Sequence, residues 1–277
     1  MNDPQRRFSV YGREPGERRL GLVRGRRIRP VPLRIILPNL VTLLALSMGL
    51  TGIRFAIEGQ FQIAVLVVII AAVLDGLDGR LARALRGTTR FGAELDSLAD
   101  FVDFGVAPGL ILYLWNLHQL KSFGWFAALV FAIACALRLA RFNVSLDDPD
   151  RPSWEGHFFT GMPAPAGAIL GLLPLYLNFS FLGLPATHAT APFEIGYVLL
   201  IAFLMASRIP HFSAKKVGRV PREYVIVVLF AIAALILLLA SFPMEVLACL
   251  SLVYLATIPL AVMKYRAFAA RDAEAAT

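Results

Sequence analysis

Long apolar runs, separated by short stretches of charged, glycine and proline residues, set the pattern of this chain. Runs long enough to cross a ~30 Å hydrocarbon layer, which takes about 20 helical residues, fall at roughly 35–55, 61–84, 92–115, 122–143, 163–181, 193–210, 223–241 and 244–263. None alternates apolar and polar positions as a barrel strand would. A backbone in lipid must satisfy its own hydrogen bonds, so the runs predict helices. The expected fold is an all-α polytopic membrane protein with about eight transmembrane helices. The second and third runs stand apart because charged residues interrupt them, at Asp75, Asp78, Asp96, Asp100 and Asp103.

Composition agrees with this pattern. Of 277 residues 58% are hydrophobic and 17% charged, and the mean hydropathy is +0.68. A soluble domain carries about 25% charged residues, so the apolar excess must face lipid. Charge placement then gives an orientation. With the amino terminus inside, 25 of the 27 basic residues fall on the inner side, and only Arg54 and Lys121 lie at outer ends. Both termini are therefore expected in the cytoplasm. The formal charge of +8 reads as topology and attraction to anionic lipid rather than nucleic-acid binding, for which the chain has too little polar surface. Met1 to Arg34 forms a basic, proline-containing arm that leads directly into a full-length span, so no cleavable signal is expected. The predicted organisation is an arm over 1–34, a transmembrane core over 35–210, further helices and a basic loop over 211–263, and a tail over 264–277. Cys135 and Cys249 lie in apolar spans without metal-like spacing and are expected to be packed side chains.

Chemistry concentrates between Leu74 and Asp103. At 100° per residue, Asp75, Asp78, Gly79 and Ala82 share one helical stripe with Arg83 at its edge, and on the next helix Gly92, Asp96, Asp100 and Asp103 share another. Gly87, Thr88, Thr89 and Arg90 supply a turn between them, so the two helices form an antiparallel hairpin with both stripes able to face each other. Carboxylates in a membrane helix must be compensated. A spacing of about 4.5 Å of rise between Asp75 and Asp78, and about 6 Å between Asp96 and Asp100, suits one or two hard cations. The alternative is a buried ion network neutralised by Arg83, Arg86 and Arg90. Gly79 and Gly92 remove side chains from the two faces, leaving room for a ligand to approach.

Asp75, Asp78, Gly79, Ala82, Arg83, Gly92, Asp96 and Asp100 match the pattern D-x2-D-G-x2-A-R-x8-G-x3-D-x3-D in full. On these residues the chain resembles the membrane-bound CDP-alcohol phosphotransferases. PNLVT from Pro38, FGVAP from Phe104, ALRLARFN from Ala136, FFTGMPAPAGA from Phe158 and MASRIP from Met205 extend the resemblance to the bacterial and archaeal membrane-type phosphatidylserine synthases. It implies a six-helix catalytic core and transfer of a phosphatidyl group from CDP-diacylglycerol to L-serine, with release of CMP. It further implies two Mg²⁺ or Mn²⁺ ions per subunit held by Asp75, Asp78, Asp96 and Asp100, with Asp100 also placed as the base. Gly79, Ala82, Arg83 and Gly92 would wall the nucleotide and its phosphates. A homodimer in the bacterial cytoplasmic membrane, with membrane phospholipid around it and the active site facing the cytoplasm, is also implied.

Asp103 departs from the resembled family, which commonly has ADxVSFG where this chain has ADFVDFG. The added carboxylate either shifts acceptor preference toward an amine-bearing alcohol or pairs with an arginine. Arg138 and Arg141, a turn apart, either hold a donor phosphate or the serine carboxylate or anchor the helix at the inner surface, with Asn143 orienting one of them. Gly161 to Pro165 is too proline-rich for a helix interior and should lead into the fifth span. Lys215 and Lys216 either meet headgroup phosphate or mark topology. His118, His157, His188 and His211 form no ligand cluster. Choline and glycerol 3-phosphate are rival acceptors. A transporter would be expected to place its carboxylates at mid-bilayer in paired broken helices, and a scaffold would not need four of them.

Overall fold

The structure, a computed structural model, describes residues 33–146, 158–212 and 221–275. Most of the predicted basic arm, Arg151, His157, Lys215, Lys216 and Arg219 lie outside the described residues. Ten α-helices follow in order: α1 (Leu33–Ile57), α2 (Phe61–Ala84), α3 (Arg90–Phe101), α4 (Ala107–Trp115), α5 (Ser122–Leu146), α6 (Ala164–Gly171), α7 (Leu173–Phe179), α8 (Ala191–Ala206), α9 (Val225–Ser241) and α10 (Pro243–Ala275). Five segments are long and apolar enough to cross a membrane: 33–57, 61–84, 90–115, 122–145 and 243–268. Three shorter apolar helices cover 164–179, 191–206 and 225–241. The architecture is thus largely helical with several membrane-length spans, and the remaining predicted spans appear as helices too short to cross by length alone.

Proline explains two departures from uninterrupted spans. The predicted third span is continuous but changes pitch at a π-helical turn over Val102–Val106, where the Ala107 N–H reaches back to the Val102 carbonyl. Pro108 has no N–H for the Phe104 carbonyl, which favours a local change of register. The predicted fifth span is divided at Leu172 into α6 and α7, with Pro174 in the first turn of α7. A small antiparallel ribbon, β1 (Phe158–Thr160) with β2 (Pro210–Phe212), pairs Phe159 with His211 and was not expected in an all-α chain.

The interior is built from small and apolar side chains, with Phe104, Ile111, Phe131, Leu170, Tyr176 and Met205 fully enclosed. Outer faces remain apolar: α9 has no buried residue, and Phe230 and Leu237 are exposed. A helix hydrophobic on all sides is at home in lipid. Cys135 is buried as expected, whereas Cys249 is exposed on α10, where a thiol in lipid needs no packing partner. At the end of the bundle away from the aspartates, Asn116 donates to Glu194 Oε2 (2.6 Å) and Thr190 to Glu194 Oε1 (3.0 Å), tying the end of α4 to the start of α8. Tyr113 packs edge-on against Trp125 at 5.3 Å in the same region.

Gly161 has φ +79°, a conformation glycine adopts without steric cost, and its N–H donates to Ile209 O at 3.0 Å. A side chain there would meet the Ser207 carbonyl at 2.6 Å. The chain therefore crosses close over the end of α8 before Pro163 caps α6, which fixes the proline-rich segment as the lead into the fifth apolar region.

Candidate active site

The hairpin predicted from the two stripes forms. After α2, Arg86 takes a positive φ of 50°, and Thr89 caps α3 by accepting from the Gly92 N–H at 3.0 Å. This places Asp75, Asp78 and Asp96 together, with one carboxylate oxygen from each lying within 4.8 Å of the others. Asp100 lies outside that trio but its carboxyl is hydrogen-bonded to that of Asp75. Two carboxyl groups in such contact must share a proton or a cation.

No arginine of the described residues forms a close ion pair with them, although the Arg83 charge reaches Asp96. Arg54 pairs with Glu58 at 2.8 Å, far from the hairpin. Asp78 is only 3% exposed, so the uncompensated charge is also largely removed from water. A set of oxygen donors without thiolate or imidazole fits a hard divalent cation, and Asp75, Asp78 and Asp96 are the residues that could hold one.

Thr42 completes this arrangement from α1. Its hydroxyl donates to Asp78 Oδ2 at 2.6 Å, one turn after Pro38, whose carbonyl lies 3.2 Å from Thr42 Oγ1. Such outer partners orient a carboxylate for a metal, and their loss typically costs ~10–100-fold in affinity or activity. Thr42→Val will therefore raise the cation concentration needed for half-maximal turnover by at least ~10-fold. Thr42→Ser, which retains the hydroxyl, will stay near wild type. A Val variant with an unchanged cation requirement would show that Thr42 only packs.

The two glycines predicted to open the site behave differently. At Gly79 a side chain would meet only Arg83 Nη1, at 3.6 Å, so the backbone is open to a ligand with a guanidinium beside it. At Gly92 the corresponding space is taken by Asn39 Oδ1, 2.8 Å from where a Cβ would sit. Gly92 thus admits a side chain of α1, and Asn39 occupies the space predicted to receive substrate. Ala82 is half-buried on the α2 face.

Arg138 and Arg141 project from α5. Arg138 is 5% exposed, donates from Nε to the Met162 carbonyl at 3.0 Å, and lies over the Phe142 ring at 5.2 Å. Arg141 Nη1 donates to the Ala206 and Ser207 carbonyls at 2.8 and 2.9 Å, closing the C-terminal end of α8. Both therefore have a structural attachment. The terminal nitrogens of Arg138 have no hydrogen bond among the described residues, and its charge is close enough to Asp100 to act on it. Asn143 donates to Ser97 Oγ at 2.9 Å, so its amide bridges α5 to α3 instead of orienting an arginine. His211, 1% exposed, stacks on Tyr254 with ring centroids 5.9 Å apart. Burial, with the nearby Arg138 charge, pushes its imidazole down to about 4, so it stays neutral near pH 7.

Asp103 lies inside the π turn and is 1% exposed. Its Oδ1 is enclosed and has no hydrogen-bond partner, and no arginine pairs with it among the described residues. The pairing considered from sequence is therefore not formed.

The family model for CDP-alcohol phosphatidyltransferases matches residues 35–193. The chain belongs to this family. A CDP-diacylglycerol–serine O-phosphatidyltransferase of Mycobacterium leprae (strain TN) is 43% identical over 239 residues, covering 85% of this chain and 77% of the relative. A protein of the same name from Helicobacter pylori (strain J99 / ATCC 700824) is 37% identical over 201 residues, 73% of this chain and 82% of its own. Another from Bacillus subtilis (strain 168) is 32% identical over 179 residues, 64% of this chain and 91% of its own. Within this CDP-alcohol phosphatidyltransferase, the matched region contains all four aspartates as well as Thr42, Arg138 and Arg141.

Proposed function

We propose that this protein transfers the phosphatidyl group of CDP-diacylglycerol to the hydroxyl of L-serine, giving phosphatidylserine and CMP. The observation that carries the reading is the carboxylate trio, held within 4.8 Å and left without an arginine partner, on the hairpin that bears the complete eight-residue pattern. The serine-specific names of the relatives support the choice of acceptor.

In this reading Asp75, Asp78, Asp96 and Asp100 would hold two Mg²⁺ or Mn²⁺ ions, with Asp100 at the edge of the trio, and Thr42 fixes Asp78. When bound, the cations neutralise the donor phosphates and polarise the phosphorus attached to the lipid. Arg83, beside the open backbone of Gly79, meets the nucleotide phosphates, and Ala82 keeps the wall low. Asp100 accepts the serine hydroxyl proton as that oxygen bonds to phosphorus and the bond to CMP breaks. Attack in line with the leaving group requires the acceptor to enter opposite CMP. Arg138 offers its terminal nitrogens to the serine carboxylate, for which a planar guanidinium is suited. Arg141 and Asn143 hold the surrounding helices, and Gly92 lets α1 close on the hairpin.

The finer architecture follows the same reading: eight transmembrane helices, six of them forming the catalytic core over 35–210. We place the protein as a homodimer in the bacterial cytoplasmic membrane, with the active site and both termini facing the cytoplasm. The basic residues at inner helix ends support that orientation.

Acceptor competition tests the function. Purified protein in lipid, given CDP-diacylglycerol and equal amounts of L-serine, choline and glycerol 3-phosphate, will form phosphatidylserine as its main product. CMP release will require donor, divalent cation and alcohol together. A dominant phosphatidylcholine or phosphatidylglycerophosphate product would replace serine as the acceptor, and no CMP with any alcohol would remove the enzymatic reading.

A further inference from the structure

Asp103 is the one carboxylate among the three side chains of the described residues with a buried polar atom lacking a hydrogen-bond partner, the others being Tyr176 and His211. Its carboxyl is almost wholly buried, and Oδ1 is enclosed without a partner. It stands outside the trio of Asp75, Asp78 and Asp96, so it does not belong to the oxygen cluster suited to a divalent ion. It nevertheless follows Asp100 by three residues on the same continuous helical segment, next to that cluster. A buried carboxylate with neither a hydrogen-bond donor nor a cation is strongly disfavoured unless something from outside the chain supplies one.

The packing keeps the carboxyl in this position. Gly49 lies in the middle of α1, where its N–H belongs to the helix. Asp103 Oδ1 occupies the place a Gly49 side chain would need, with Cγ 2.9 Å and the Asp103 Cα 3.2 Å from that position. The glycine therefore permits α1 and the π turn to touch, with Asp103 Oδ1 set against α1. π turns inserted in α-helices occur frequently at functional sites because they re-aim side chains.

We propose that Asp103 binds the α-ammonium group of the acceptor, and that Gly49 holds the carboxyl in place to do so. The proposal rests on the serine reading above. In L-serine the hydroxyl and the ammonium are on adjacent carbons. With the hydroxyl at Asp100, the ammonium falls toward Asp103, three residues along the same helical segment, while the carboxylate turns toward Arg138 on α5. A primary ammonium supplies both the positive charge and the hydrogen-bond donors that Asp103 lacks. Glycerate, which has a hydroxyl in place of the amine, supplies no charge, and a quaternary ammonium supplies no N–H. Asp103 thereby selects amino alcohols, a task the cation-binding carboxylates cannot perform.

The test compares kcat/KM for L-serine and L-glycerate, with CDP-diacylglycerol saturating, in the full-length protein. Wild type will prefer serine by at least ~10²-fold, because binding the analogue that lacks the ammonium leaves Asp103 unpaired. Asp103→Asn and Asp103→Ser will reduce that preference at least ~10-fold, chiefly through KM for serine, while KM for CDP-diacylglycerol stays within about threefold. Gly49→Ala, which pushes a methyl group against Oδ1 from the opposite helix, will shift the ratio in the same direction and keeps the test open if either Asp103 variant is unstable. An unchanged serine-to-glycerate ratio in folded variants would overturn the proposal and make Asp103 a neutral, packed carboxyl. A wild-type protein that makes no phosphatidylserine would instead overturn the serine reading itself, and this proposal with it.

Discussion

Chelation of divalent cations will abolish CMP release, and Mg²⁺ or Mn²⁺ will restore it. The expectation follows from three carboxylate oxygens within 4.8 Å that no arginine of the described residues meets in an ion pair. Like charges held this close in a partly buried site repel one another, so the folded protein carries an electrostatic cost that a bound cation removes. Asp96→Asn should therefore have two opposite effects: it will abolish turnover, and it will raise thermal stability in metal-free buffer by removing one of the repelling charges. Added Mn²⁺ will stabilise wild type, by about 2.7 kcal/mol at a hundredfold excess over the dissociation constant, and will stabilise Asp96→Asn less. Stability is the decisive readout, because it does not depend on the reaction being correctly identified. Full activity after exhaustive chelation, or an Asp96→Asn protein that loses metal-free stability and gains as much from Mn²⁺ as wild type, would mean that the trio is not a cation site.

The hairpin and its aspartates were legible in the sequence because each stripe is set within one helix and the polar turn between them is short. Helical spacing was enough to put Asp75 with Asp78 and Asp96 with Asp100, and the antiparallel turn brought the pairs together. Contacts from a third helix were not legible. Thr42 was visible as a polar residue in an apolar span, but its bond to Asp78 spans 36 residues and depends on how α1 lies across the hairpin. Gly92 illustrates the same limit. A missing side chain on the active stripe reads as space, yet that space belongs to Asn39 of α1.

Helix breaks were hidden for a different reason. Hydropathy sums over a window and is insensitive to a single absent N–H, so the regions around Pro108 and Pro174 read as uninterrupted spans. The resulting π turn encloses Asp103 against Gly49. From an ideal helix Asp103 would simply extend the stripe, free to meet an arginine. With α1 packed over it, the carboxyl is enclosed instead. Arg138 and Arg141 show a related ambiguity: their spacing suited an anion, but the carbonyls at Met162, Ala206 and Ser207 that engage them come from loops and a helix end with no sequence signature of their own.

Asp100→Asn will lower turnover by at least ~10²-fold, the low end of what a positioned general base contributes. Asparagine retains the shape of the side chain and one oxygen for a cation but cannot accept the hydroxyl proton. Asp100 is suited to that role by position: it is hydrogen-bonded to Asp75 at the edge of the trio and faces the charge of Arg138. A carboxylate beside bound cations is a weak base, so cations held by the trio would also supply acidity to the alcohol, whose proton Asp100 receives. Two measurements separate base from ligand. If Asp100 acts as the base, kcat falls while KM for CDP-diacylglycerol and the cation concentration for half-maximal activity change little. If it chiefly holds metal, the cation requirement rises and excess Mn²⁺ restores much of the rate. Near-native turnover in Asp100→Asn would leave the proton to the departing phosphate or to solvent; if Asp103→Ser were then inactive, Asp103 would be the base and its ammonium-binding role would fall.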